Sequence, residues 1–175
     1  MDITKNELFI TNEFMSLSIL AGLATRNAEF PIYKKEATEE NRNKVKKSIR
    51  THLFKLYKEI KGKELNDIEK IYSYWSNFES IMNDSYSQYL HEGKFRIGIS
   101  QKIINLFLKY LYCSGKIKSL CICPIDGFVK EAILSEMNKG KIEEATLKNW
   151  TEITDIDDLK DYVRIIQSIS SSVID

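Results

Sequence analysis

Only two prolines and seven glycines occur in 175 residues, too few breakers for a linker-rich or collagen-like chain. Long apolar runs are missing as well. The most apolar early stretch, Phe14 to Ala24, has 11 residues, against the roughly 20 needed to span a bilayer. It follows the charged Asp2, Lys5, Glu7 and Glu13, which is the wrong layout for a secretory leader, so a buried helix in a cytoplasmic protein is expected, with no membrane partner. Cysteine is scarce and odd in number, at three, which argues against a disulfide framework. Cys121 and Cys123 have only Cys113, His52 and His91 to join them, and none stands at zinc-site spacing. The expectation is therefore no metal and no cofactor, with the cysteines serving as small apolar residues. A charge excess is also absent: 26 basic residues face 25 acidic ones, so net charge says nothing about partners.

Helical periodicity is what the chain has instead. Thr11 can open a helix that runs to about Thr25, and the segment around Pro31 breaks it. Thr38 starts a second helix, in which Val45, Ile49, Leu53, Leu56 and Ile60 make an apolar stripe closed by Gly62. A third, from Asn66 to near Gly93, carries Ile68, Ile71, Trp75, Phe78 and Met82. Ser100 can cap a fourth, Gln101 to Ser114, whose apolar residues wrap most of its circumference and mark it as central. Pro124 forbids helix in the connection that follows, leaving room for a short hairpin within residues 116–125. Asp126 caps a fifth helix stopped by Gly140, Trp150 plugs the core from a loop, and Asp155 opens the last helix. This pattern predicts one all-α domain over residues 1–175, with the informative segment at 94–130.

Charge is unevenly spread. Between Asn41 and Lys63 nine basic residues face Glu59 alone, while Lys141 to Asp175 holds eight acids and four bases. The basic run reads either as the wet side of an amphipathic helix or as a face that tracks phosphates.

The stretch Phe95 to Asn105 is the best candidate for chemistry. Gly98 permits a tight turn before a helix start, and uncovered amides there suit an anion such as phosphate. Lys102 would then be a cation in the first turn, opposed to the helix dipole at up to about 1 kcal/mol. Asp126 reads equally as an ordinary N-cap. The two can meet, because Lys102 to Ser114 runs about 18 Å as helix, and the 11 residues from Gly115 to Ile125 span up to about 36 Å extended.

Gly98-Ile99-Ser100-Gln101-Lys102 resembles the hairpin of the helix-hairpin-helix DNA glycosylases of the endonuclease III type. Pro124-Ile125-Asp126-Gly127-Phe128-Val129 is similar to the segment that carries that family's catalytic aspartate. The resemblance implies a helix-hairpin-helix element and DNA as partner. Lys102 would be the amine that attacks the sugar C1′, and Asp126 the carboxylate that stabilises positive charge or activates the nucleophile. Arg96, Gly98, Ser100 and Gln101 would hold a DNA phosphate. Ser100 stands in place of the hairpin's second glycine, Phe128 in place of a histidine, and no four-cysteine cluster follows. The run from Phe95 to Leu111 also resembles small bacterial and phage proteins, some grouped with enzymes of hypermodified thymine in phage DNA. An extruded base needs aromatic or apolar walls, for which Tyr72 and Trp75 on the third helix, with Asn105 as a polar contact, are the candidates. The alternatives are a non-catalytic nucleic-acid-binding module and a helical protein of phage–host interaction.

Overall fold

A computed structural model describes residues 3–25, 28–140 and 145–172, with side chains described through residue 169. Part of the acidic tail, residues 141–144 and 173–175, therefore lies outside the described residues. Among the described residues there are six α-helices: α1 (Lys5–Leu23), α2 (Glu39–Ile60), α3 (Ile68–Tyr86), α4 (Ile97–Cys113), α5 (Gly127–Asn138) and α6 (Ile156–Ser172). The all-α expectation holds. The only sheet described is a parallel pairing of two two-residue strands, β1 (Glu64–Leu65) and β2 (Ser119–Leu120). A hairpin within 116–125 is thus corrected: the connection pairs across the molecule with the end of the α2–α3 turn. Gly62 N–H donates to Lys116 O, and Lys118 N–H to Lys63 O, extending that pairing.

Several helix ends follow directly from local chemistry. Thr38 and Asn41 form a reciprocal capping box at α2, and Asp67 caps α3 through Glu69 N–H. Gly62 and Gly140, both with positive φ, follow the ends of α2 and α5. Boundaries at α1 and α3 differ from expectation, as does the start of α4, at Ile97 and not Gln101. α1 begins at Lys5, capped by Thr4, so Thr11 is an interior, buried position rather than a start. α3 stops at Tyr86, and two 3-10 turns at Ser87–Tyr89 and His91–Gly93 lead to α4.

α4 is the central helix, buried on nearly every side and packed mainly against α1 and α3. Ile49 and Leu53 of the α2 stripe and Trp75 and Phe78 of the α3 stripe are all fully buried in the same core. Close approach of α1 to α4 occurs at Gly22, where an added Cβ would lie 2.2 Å from the Ile103 side chain. The buried Glu7 of α1 accepts from the Tyr57 hydroxyl and pairs with Lys61 at 2.6 Å. These two donors, Lys61 foremost, hold its carboxyl down at about 2. The three cysteines are not core residues: Cys113, Cys121 and Cys123 are all exposed.

Candidate active site

Lys102 sits in the second turn of α4 and Asp126 at the start of α5, and the two meet. Lys102 Nζ donates to Asp126 Oδ2 at 2.5 Å, with the lysine side chain 9% exposed and the aspartate side chain 23%. The aspartate divides its oxygens between two tasks. Oδ1 accepts from Val129 N–H at 3.2 Å and caps α5, leaving Oδ2 for the lysine.

A buried polar ladder brings Asp126 there. Gln101 Nε2 donates to Ile125 O at 2.6 Å, and Ile125 N–H donates to Gln101 Oε1 at 3.2 Å. Asn105, one turn on, donates to Gln101 Oε1 and to Cys123 O, each at 3.2 Å, and accepts from Trp75 Nε1 at 2.9 Å. The irregular connection before Asp126 has backbone groups that no helix satisfies, and a buried polar group left unpaired costs about 1–3 kcal/mol. Gln101 and Asn105 supply partners from the same face of α4, at i and i+4.

The pair lies in a cleft of about 370 Å³ whose lining includes Phe128, Asn149, Trp150 and Thr151. Lys102 Nζ lies over the Trp150 ring, 5.8 Å from its centroid. Phe128 is 83% exposed, the largest exposure among the exposed large apolar side chains described. Lys130 Nζ donates to Asn149 Oδ1 at 3.0 Å at the margin. An amine, a carboxylate and two aromatic rings thus share one opening to solvent.

No family model matches this sequence, and neither a curated protein nor a solved structure matches it.

The phosphate-binding expectation is corrected. α4 starts at Ile97, so Gly98 and Ser100 are inside the helix, and no open hairpin precedes Lys102. The amides at its start are already used: Gly98 N–H donates to Ile153 O at 3.1 Å, and Ile99 and Ser100 N–H both donate to Arg96 O. On α3, burial pushes the Glu79 carboxyl up to about 7. Arg96, 3% exposed, donates to Phe30 O and Pro31 O, anchoring the α1–α2 connection. Ser100 and Gln101 are fully buried. The base pocket is corrected likewise. Trp75 and Asn105 are fully buried and bonded to each other, and Tyr72 packs on Trp75 with ring centroids 5.3 Å apart. Trp150, expected as a core plug, does pack partly buried against the core and also lines the cleft, together with Phe128, expected only as a departure from a motif. Periodicity carries no signal for either. Among the described residues no group of three His, Cys, Asp or Glu is placed to hold a metal, and no helix is long and apolar enough to cross a membrane.

Proposed function

We propose that this protein acts on DNA as a glycosylase-like enzyme, releasing a modified or damaged base with Lys102 as amine nucleophile and Asp126 as its carboxylate partner. The observation that carries this reading is the Lys102–Asp126 pair at 2.5 Å in a cleft bordered by Trp150 and Phe128. A base leaving the stack needs ring faces to rest on, and these two rings take the place of the buried Tyr72 and Trp75. The unprotonated amine bonds to C1′ as the glycosidic bond breaks, and the base leaves with that electron pair and gains a proton. Asp126 accepts the proton that frees the amine and faces the positive charge developing on the sugar. Opening of the sugar ring turns the adduct into a Schiff base.

Borohydride reduction with an abasic or base-modified oligonucleotide tests this by intact mass. The expected result is an adduct of one protein and one strand that is lost in Lys102→Ala and formed at least ~100-fold more slowly in Asp126→Asn, the low end of what a proton-transfer partner contributes. An absence of adduct and of base release from the wild type across abasic and modified substrates refutes the reading.

A second reading is favoured by the cap that Asp126 makes on α5. Here the pair is a latch between α4 and α5 in a non-catalytic nucleic-acid-binding or phage–host interaction protein. Asp126→Asn, which keeps capping capacity, would then lower stability and leave nucleic-acid chemistry untouched because there is none.

A further inference from the structure

The N-terminal half of α2 lies along the C-terminal half of α1, and between them runs a groove of about 630 Å³. Its floor and lip are apolar, from Ile19, Leu20 and Leu23, and Leu20 is 70% exposed. Its other wall is cationic: Arg42, Lys46, Lys47 and Arg50 against the single acid Glu39. Arg42, Lys46 and Arg50 stand at i, i+4 and i+8, a row rising about 6 Å per step along the helix. Some of these charges are committed. Arg50 donates to Asn12 O at 3.3 Å and Ser16 Oγ at 2.8 Å, and Lys46 reaches Glu39 at 3.3 Å. Arg42 lies over the Tyr33 ring, 5.3 Å from its centroid, so its guanidinium plane is held against the groove wall. Lys47 is exposed.

We infer that this groove binds single-stranded nucleic acid, with phosphates along the α2 cations and base faces against Leu20 and Leu23. Ala24, at the end of α1, lines both this groove and the Lys102–Asp126 cleft, so a strand in the groove leads to the cleft. That last step rests on the function proposed above; the groove's occupancy does not. A row of cations alone would serve any polyanion. Exposed apolar surface beside it selects a strand whose base faces are free, since a duplex hides those faces in its stack. An acidic polypeptide offers charge without planar faces.

The test is fluorescence anisotropy with a dye-labelled oligothymidylate over a series of salt concentrations. Wild type should bind, with log affinity falling by about 0.7 per log unit of salt for each phosphate held. Replacing Arg42, Lys46 and Lys47 with Gln should weaken binding at least ~10-fold and flatten the salt slope by about 2. The double variant Lys46→Glu, Lys47→Glu, which leaves the Arg42–Tyr33 stack intact, should weaken it at least as much. Replacing Lys55, Lys58 and Lys63 with Gln removes the same charge from the far end of the basic run and should change affinity less than about 3-fold, the residue of long-range attraction that salt screens. Equal losses from the near and far variants, equal affinity for duplex, or full displacement by polyglutamate overturns the inference. Lys102→Ala separates the two proposals. If it binds normally but no protein forms the borohydride adduct, the groove stands and the chemistry falls. If the groove variants lose oligothymidylate binding yet form the adduct at the wild-type rate at limiting protein, the chemistry stands and the path from groove to cleft falls.

Discussion

Gly98 offers a sharp test of how the wall of the cleft is built. A Cβ added there would lie 1.9 Å from Trp150 O, 3.0 Å from Trp150 C and 3.1 Å from Ile153 Cβ. The closest of these is backbone, so no side chain can swing aside and the Trp150–Ile153 segment must retreat from α4. Overpacking of this kind costs about 1–3 kcal/mol. The Gly98 N–H to Ile153 O bond, 3.1 Å in the wild type, is lost with it, for about another 1 kcal/mol. Against this, alanine is favoured over glycine inside a helix by about 1 kcal/mol. Gly98→Ala should therefore destabilise the protein by about 1–3 kcal/mol net, read as a lower midpoint in urea with an unchanged slope. Because Trp75 is fully buried and Trp150 is only half-buried, the displacement should also red-shift native tryptophan emission. Gly127→Ala is the matched control. It lies at the first position of α5 with nothing within 4 Å of an added Cβ and no positive φ, and should stabilise by about 0.4–1 kcal/mol. If Gly98→Ala proves as stable as wild type with unchanged fluorescence, the loop does not lie over α4 and the cleft is not walled as described.

Two further predictions concern buried polar groups. Asn105→Ala strands Trp75 Nε1 and Cys123 O; a loss of about 2–4 kcal/mol in denaturant unfolding is expected, and wild-type stability in that variant would contradict the ladder. Glu79 titrates near 7 in the folded protein, above the ordinary carboxyl value of 4.5. Its raised value means the folded state binds the extra proton, so stability is greatest below about 4.5 and falls as pH rises through about 7. Glu79 is half-buried, so the loss is discounted to about 1–2 kcal/mol. Urea midpoints at pH 5 and pH 8 should converge in Glu79→Gln; an unaltered pH dependence contradicts the assignment.

Much of the helical layout was readable because its signals are local. Thr38, Gly62, Asp126, Asp155 and Gly140 mark ends through their own backbone preferences or side-chain caps, and α2, α5 and α6 fall where those residues put them. The start of α4 escapes such reading for the opposite reason. Arg96 makes no side-chain cap, and Gly98 N–H is satisfied by Ile153 from the loop before α6. Ser100 has the chemistry of a cap, yet its hydroxyl is buried with no hydrogen-bond partner. That Lys102 and Asp126 could meet was legible from chain lengths. The rings around them were not, because Trp150 arrives through a loop with no periodicity to fix its direction. The parallel pairing of Glu64–Leu65 with Ser119–Leu120 joins segments far apart in sequence, beyond the reach of any local pattern.

Asp126 is steered from behind. Gln101 and Asn105 grip the main chain at Cys123 and Ile125, and neither touches the carboxylate itself. The course of the incoming chain is thereby held by α4, and the carboxylate itself is left to cap α5 with one oxygen and meet Lys102 with the other. A capping-competent exchange such as Asp126→Asn therefore alters the charge that faces Lys102 while the main chain on either side of residue 126 keeps its anchors.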